Sequence, residues 1–167
     1  MHKEDMSPPY VAVVGAGIAD PTTFAVAQEV GRLLAERGAV VVCGGSTGVM
    51  EGACKGAKEA GGTTVGILPG SLRSEANDYV DIAIPTGMGE MRNALIVRAA
   101  DVVIAVEGEY GTLSEMALAL KTGTPVVGLG AWELHKGGVR VEAFIEAATP
   151  QEAVDAAERL WSARSRF

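Results

Sequence analysis

Residues 102–115 read VVIAVEGEYGTLSE, a short β-branched run followed by a glycine-containing loop and then by a helical pattern. A run that is apolar throughout predicts a strand buried on both faces of a parallel sheet. Gly108 and Gly111 allow a tight turn, and a helix is predicted after them over residues 113–122. Strand, loop and helix in this order are the unit of parallel α/β proteins, whose ligands bind at the loops that follow the strands.

The same alternation of short apolar runs and longer helical patterns continues through the chain. It predicts an α/β fold: a single Rossmann-like, doubly wound parallel sheet of six to seven strands with helices on both faces. The predicted strands are residues 10–14, 40–43, 64–68, a weak 81–84, 102–106, 125–129 and an edge strand near 144–147. The predicted helices are residues 21–37, 49–60, 89–100, 113–122 and 150–164.

Helix boundaries carry their own signals. Asp20 before Pro21 predicts an N-cap, and Thr149 with Glu152 has the spacing of a capping box. In the helix over 89–100 the expected buried stripe is Met91, Leu95 and Ala99. Left-handed glycines are expected to end three helices, at Gly38, Gly61 and Gly123.

Composition limits the class of protein. With 167 residues, 48% of them hydrophobic, the chain suits one domain with one core. A formal net charge of -7 argues against nucleic acid and anionic membranes as partners, because both attract clustered Lys and Arg. Cys43 and Cys54 are too few for a disulfide framework and are interpreted as buried free thiols. We expect a flexible tail over residues 1–9, a nucleotide-binding domain over 10–167 and a cytoplasmic location.

Four glycine-containing loops follow predicted strands, and right-handed crossovers place them at one edge of the sheet. The first, residues 15–20, has Asp20 where a dinucleotide fingerprint has its third glycine, so ordinary NAD binding is not expected. Its glycines fit either a tight turn or the close approach of a ligand. The second, residues 44–48, precedes a helix N-terminus, whose unpaired amides favour an anion over a purely structural turn.

The third and fourth loops supply candidate catalytic groups. In the fourth, residues 108–112, Thr112 adds a hydroxyl donor and Glu115 follows it. Thr112 and Glu115 also have the spacing of a capping box, in which the carboxylate only reaches back to the N-cap amide. After the third, residues 87–89, Arg92 lies in the first turn of a helix, where a cation opposes the helix dipole. Arg92 and Glu115 are therefore a candidate catalytic pair, and a surface arginine and a helix cap are the alternatives.

At these residues the chain resembles the Lonely Guy family of nucleoside 5′-monophosphate phosphoribohydrolases, also labelled lysine decarboxylase-like. The resemblance extends over about residues 10–129. Its carriers are GGSTGVME at 44–51, GILPG at 66–70, MRN at 91–93 and GEYGTLSE at 108–115.

The resemblance implies cleavage of the N-glycosidic bond of a nucleotide such as AMP, by a homodimer without a metal or redox cofactor. It implies that Glu115 lies at the ribose and that Arg92 orients the base or helps to expel it. Gly111, Thr112 and the helix amides would hold the 5′-phosphate. The full set of predicted phosphate- or nucleotide-binding residues is Gly15, Gly17, Gly44, Gly45, Ser46, Gly48, Asn93, Gly108, Gly111 and Thr112.

The chain also departs from that family. Where the family shows Pro-Gly-Gly-x-Gly-Thr, this chain has Glu107 in place of the proline and Glu109 in place of the second glycine. Where the family shows an Arg-Lys pair, Asn93 stands in place of the lysine. Two added carboxylates and one lost lysine make the rim more negative, which weakens phosphate binding or indicates another ligand. Molybdenum-cofactor carriers, relatives that lack the full motif and bind a phosphorylated pterin without turnover, imply the alternative function of a carrier or sensor. A purely structural oligomer would leave the clustered glycines unexplained.

Overall fold

Seven parallel strands form the central sheet of the structure, a computed structural model that describes residues 7–164. Their order is β4-β3-β2-β1-β5-β6-β9, and β7 and β8 form a separate antiparallel hairpin. The strands are β1 (Tyr10–Gly15), β2 (Val40–Cys43), β3 (Thr64–Leu68), β4 (Ile82–Pro85), β5 (Val102–Val106), β6 (Val126–Leu129), β7 (His135–Lys136), β8 (Val139–Arg140) and β9 (Ile145–Ala147). The helices are α1 (Pro21–Glu36), α2 (Val49–Glu59), α3 (Asn93–Ala99), α4 (Tyr110–Thr122) and α5 (Pro150–Arg164).

Helices cover both faces of the sheet. Successive residues of a strand point to opposite faces, so β1 contributes Val11 and Val13 to one core and Ala12 and Val14 to the other. The first core is closed by α1, α2 and α5, and the second by α3 and α4. The predicted fold class is therefore confirmed, with seven strands in the sheet.

The predicted strands lie within one residue of those in the structure. The β7–β8 hairpin was not predicted, because two residues on each side are too few for a periodic pattern. Of the tail predicted over residues 1–9, residues 1–6 lie outside the described residues. No helix in the described part of the chain is long and apolar enough to cross a membrane.

The helix caps lie at the residues where the sequence predicted them. The Asp20 carboxylate accepts a hydrogen bond from the Thr23 amide at 2.7 Å. At α5 the Thr149 hydroxyl accepts from the Glu152 amide at 3.2 Å, while the Glu152 carboxylate accepts from the Ala148 amide at 2.8 Å. Both predicted N-caps are confirmed. The predicted glycines at helix ends are also confirmed, with φ of 77° at Gly38, 74° at Gly61 and 77° at Gly123.

The helix predicted over 89–100 is divided. A 3₁₀ turn occupies Gly89–Arg92, and α3 begins only at Asn93. The prediction that Met91, Leu95 and Ala99 form its buried stripe is wrong, because Ile96 and Val97 are buried instead. A 3₁₀ turn has three residues per turn, so it shifts the face that the following helix presents to the sheet.

Candidate functional site

A cleft opens where the strand order reverses, between the carboxyl ends of β1 and β5. These strands are neighbours, but their connections lead to opposite sides of the sheet. Ligands of doubly wound proteins bind at such a point. The cleft has a volume of about 520 Å³. It is lined by Val13, Val14, Gly15, Ala16, Gly17, Ile18, Gly44, Met50, Arg92, Asn93, Glu109, Gly111, Thr112 and Glu115.

The N-terminus of α4 forms one wall of the cleft. Glu109 is its N-cap residue, but the Glu109 side chain makes no capping hydrogen bond. The first intrahelical bond runs from the Leu113 amide to the Glu109 carbonyl at 3.0 Å. Within residues 7–164, the amides of Tyr110, Gly111 and Thr112 have no hydrogen-bond acceptor. The start of α4 therefore offers several donors and a positive helix end to an anion.

Thr112 adds a hydroxyl group to the same wall. The residue is 3% exposed, and no described residue hydrogen bonds to its side chain. Because Thr112 lines the cleft, its hydroxyl can hydrogen bond to a ligand or water there.

Glu115 lies one turn further along α4 and is 6% exposed. Burial raises the pKa of its carboxyl group to about 7, although the nearby positive charge of Arg92 acts in the opposite direction. No side-chain hydrogen bond to Glu115 exists in the described part of the chain. The capping-box interpretation of Thr112 and Glu115 is wrong, because α4 begins at Tyr110 and makes Thr112 its third residue.

Arg92 lines the same cleft as Glu115. Its guanidinium donates to the Ile67 carbonyl at 2.9 Å, to the Asn93 side-chain oxygen at 2.6 Å and to the Gly44 carbonyl at 3.4 Å. Burial lowers the pKa of Arg92, and the charge of Glu115 opposes that shift. Among the described residues Arg92 forms no ion pair, so its charge and that of Glu115 interact across open space. The two predicted catalytic residues thus line one cleft without touching.

The loop after β1 borders the cleft with its backbone. The carbonyls of Ala16 and Gly17 accept hydrogen bonds from the Val49 amide at 3.0 Å and the Thr47 hydroxyl at 2.6 Å. The amides of Gly17 and Ile18 have no acceptor within the described chain. This loop therefore adds two donors close to those of α4.

The loop after β2 is mostly turned away from the cleft, and only Gly44 of its predicted residues lines it. The Gly45 amide donates to the Cys43 sulfur at 3.3 Å, and the Gly45 carbonyl accepts from the Asn77 amide at 2.9 Å. The Ser46 carbonyl accepts from the Asn77 side chain at 2.7 Å. Gly48 lies against the Ala16 carbonyl with a φ of 68°. Gly45, Ser46 and Gly48 are thus placed outside the cleft lining.

A second cleft of about 470 Å³ adjoins the first and shares Ala16, Ile18 and Glu109 with it. Gly108 lines this second cleft and not the first. Asp20, Glu107 and Glu109 make its surface acidic. Glu107 has a φ of 48°, a left-handed conformation that is uncommon outside glycine. Among the described residues no group of three or more His, Cys, Asp or Glu side chains is arranged to hold a metal ion.

Several cleft residues escaped the sequence-based prediction. Met50 forms an apolar part of the wall, and Ile18 is 93% exposed beside it. The sequence carried no signal for either residue, because single apolar side chains at a protein surface are common. Behind the cleft, Cys43 and Cys54 are confirmed as buried free thiols, with their sulfurs 3.4 Å apart.

Comparison with known proteins identifies relatives by sequence. The model of the SLOG cluster4 family matches residues 8–156. A protein from Archaeoglobus fulgidus is 46% identical over 145 residues, which are 87% of this chain and 91% of that one. The cytokinin riboside 5′-monophosphate phosphoribohydrolase LOG of Oryza sativa is 38% identical over 94 residues, covering 54% of this chain and 38% of that protein. The corresponding protein of Mycobacterium tuberculosis is 32% identical over 69% of this chain and 66% of its own length.

Solved structures add relatives of similar length. The molybdenum cofactor binding protein of Rippkaea orientalis superposes with a TM-score of 0.84 and 38% identity, over 93% of this chain and 98% of that one. The Moco carrier protein of Chlamydomonas reinhardtii gives a TM-score of 0.81 and 36% identity, over 94% and 99% of the two chains. The expected resemblance to the Lonely Guy family, with its relation to molybdenum-cofactor carriers, is confirmed.

Proposed function

We propose that this chain, which belongs to the SLOG cluster4 family, binds a phosphorylated nucleoside-type ligand with its phosphate at the N-terminus of α4. The observation that carries the proposal is the set of unpartnered donors there: the first amides of α4 and the Thr112 hydroxyl, which lines the cleft. The amides of Gly17 and Ile18 add donors from the opposite loop. Helix N-termini with such amides are established anion sites.

The remainder of the cleft suits the sugar and base. Its volume of about 520 Å³ lies within the range of small-molecule sites. Met50 and Val14 offer apolar contact, and Arg92 and Glu115 line the same cleft with their charged groups. A nucleoside monophosphate anchored at α4 would place its ribose beside Glu115.

Hydrolysis of the N-glycosidic bond is the reaction that this geometry supports best. Water adds to the anomeric carbon, the bond to the base breaks, and a proton passes to the base, giving free base and ribose 5-phosphate. The ionised Glu115 carboxylate would stabilise the cationic sugar of the transition state, and Arg92 would assist departure of the base. The names of the Oryza and Mycobacterium relatives describe this activity.

A carrier function is the second candidate, and a specific observation favours it. The Rippkaea and Chlamydomonas proteins match this chain over nearly their whole lengths, whereas the Oryza relative is matched over 38% of its own. Glu109 also adds a carboxylate to the lining beside the proposed phosphate position. On this alternative the cleft holds a phosphorylated pterin without cleaving it.

One experiment separates the two functions. Purified protein is incubated with a panel of nucleoside monophosphates, and released base is measured by chromatography. If the protein is a hydrolase, the wild type releases free base and the variants Arg92→Ala and Glu115→Gln do not. The matched controls Arg98→Ala and Glu142→Gln, whose side chains are exposed, should still release base. No release, together with a rise in melting temperature on adding AMP or a pterin phosphate, supports the carrier. No release and no binding would refute both.

We also propose a cytoplasmic homodimer. The reduced, buried pair Cys43 and Cys54 suits a reducing compartment. Leu72, Met88 and Met91, which lie between β3 and α3 in the chain, are exposed apolar side chains that a second copy of the chain would cover. Light scattering after size-exclusion chromatography tests the dimer, and a monomer at micromolar concentration would contradict it.

A further inference from the structure

Asn93 was predicted to contact the ligand, but its polar atoms are engaged within the protein. The residue is 8% exposed. Its side-chain oxygen accepts from Arg92 Nη1 at 2.6 Å, and its Nδ2 donates to Ser114 Oγ at 3.3 Å. Asn93 therefore connects the guanidinium of Arg92 to a side chain of α4.

Ser114 carries the connection onward. Its hydroxyl donates to the Gly111 carbonyl at 2.6 Å, so the single O–H is used there and the oxygen accepts from Asn93. Gly111 belongs to the first turn of α4, beside Thr112 and the unpartnered amides. A continuous chain of hydrogen bonds thus runs from Arg92 to the proposed phosphate site.

From these contacts we infer that Asn93 and Ser114 are positioning residues, which fix the Arg92 guanidinium relative to the first turn of α4 and couple it to an anion bound there. The coupling to an anion rests on the proposed function. The positioning of Arg92 does not, because the hydrogen bonds lie wholly within the chain. The proposed function and this chain of hydrogen bonds from Arg92 through Asn93 and Ser114 to Gly111, which we call the relay, can therefore be refuted separately.

A purely structural role for Ser114 predicts a different result. A serine inside a helix that bonds to a preceding carbonyl competes with the helix, and alanine is the better helix former by about 0.5 kcal/mol. Ser114→Ala should therefore keep or raise the melting temperature if Ser114 only supports α4. The relay predicts in addition that the Arg92 guanidinium becomes more mobile, a change that the melting temperature does not detect.

The test follows Arg92 by ¹⁵N NMR in the full chain. Loss of the relay in Ser114→Ala is expected to speed exchange with water of the Arg92 Nη1 protons, which donate to Asn93, while the Arg92 Nε–H, which donates to the Ile67 carbonyl, serves as the internal reference. It should also raise the titration midpoint of Glu115, because the charge of Arg92 lowers the pKa of that carboxyl. Ser114→Thr keeps the hydroxyl, and the exposed position leaves room for its methyl group, so wild-type behaviour should return. Ser162→Ala, on the exposed surface of α5, is the matched control.

A second arm measures inorganic phosphate binding by calorimetry in the same variants. Loss of one hydrogen bond is expected to weaken phosphate binding about fivefold in Ser114→Ala, with recovery in Ser114→Thr. Wild-type protein that binds neither phosphate nor AMP would refute the proposed function and the coupling, while the NMR arm still decides the positioning of Arg92. Unchanged Arg92 exchange and Glu115 titration in Ser114→Ala would overturn the relay, whatever phosphate does.

Discussion

The loops after β2 and β5 look alike in sequence, since each contains glycines and leads into a helix, yet the structure uses them differently. The loop after β2 is tied to the rest of the chain by Asn77 and by the bond from the Val49 amide to Ala16. The loop after β5 leaves the first amides of α4 without acceptors among the described residues. Glycine content therefore indicates a tight turn, whereas the capacity to bind an anion in the cleft depends on whether the start of the following helix lines it, as Gly111 and Thr112 do and residues 45–49 do not.

The largest effect on stability is expected from Gly48→Ala, in the loop after β2. A Cβ there would lie 2.3 Å from the Ala16 carbonyl oxygen, at a φ of 68°. Strain and collision together should lower the free energy of unfolding by on the order of 3 kcal/mol. Urea denaturation followed by tryptophan fluorescence measures the loss.

Gly137→Ala is the matched control for Gly48→Ala. Gly137 has a φ of 60°, but no atom lies within 4 Å of the position that an alanine Cβ would take, so only backbone strain applies, at about 1 kcal/mol. Equal losses in the two variants would show that the loop after β2 is not held closely against Ala16.

Glu115→Gln is expected to stabilise the protein in a pH-dependent way. The pKa of Glu115 is raised from its ordinary value of 4.5 to about 7, so the native state binds the extra proton between these values. Wild-type stability contributed by the protonated group is therefore fully present below about pH 4.5 and is lost as pH rises from there to above about 7, and Gln avoids the loss. The advantage of the variant should grow by roughly 2–3 kcal/mol between pH 5 and pH 8. Glu142→Gln is the exposed control, and an advantage independent of pH would contradict the buried carboxylate.

A moderate effect is expected from Asn77→Ala. It removes the bond to the Ser46 carbonyl and the bond that the Tyr79 amide donates to Asn77 at 3.0 Å. Stability should fall by about 1–2 kcal/mol, while AMP binding should stay within about twofold of wild type, since Ser46 and Asn77 lie outside the cleft lining. Asn77→Asp keeps the acceptor for Tyr79 but sets a carboxylate oxygen against the Ser46 carbonyl, so it should lose at least as much stability. A large loss of AMP affinity in a folded Asn77→Ala would place the phosphate at the loop after β2 instead.

Gly111→Ala should have the smallest effect on stability and a clear effect on binding. No atom lies within 4 Å of the Cβ position, and the residue is in the first turn of α4. Alanine should change stability by no more than about 1 kcal/mol, with stabilisation expected because it is the better helix former. The added methyl occupies cleft space beside the proposed phosphate, so calorimetry should show weaker AMP binding by about tenfold. Unchanged AMP affinity would show that the phosphate does not bind beside Gly111 at the start of α4.

Much of the fold was predictable because its signals are local. Apolar runs such as 102–106 gave strands within one residue, and Asp20 and Thr149 marked helix starts. The start of α4 was placed at Leu113, three residues late, because Tyr110 and Gly111 carry no strong helix signal. That error made a capping box of Thr112 and Glu115 appear plausible.

The site was predictable in part. Arg92 was found because local helix stability did not explain its charge, Glu115 was found because it follows the fourth glycine-containing loop, and both line one cleft in the structure. The orientation of Asn93 toward Arg92 and Ser114 depends on how α3 packs against α4, which no local pattern encodes. The same holds for Asn77, whose bonds decide that Gly45 and Ser46 do not face the cleft.

Binding of phosphate at the N-terminus of α4 is best tested by following backbone amide shifts during titration with AMP. In ¹⁵N NMR of the full chain, the amides of Gly111 and Thr112 should shift most, with Gly17 and Ile18 also affected. The amides of Gly45 and Val49, already bonded to Cys43 and Ala16, should stay in place. Shifts concentrated in residues 45–49, or none at saturating AMP, would contradict it.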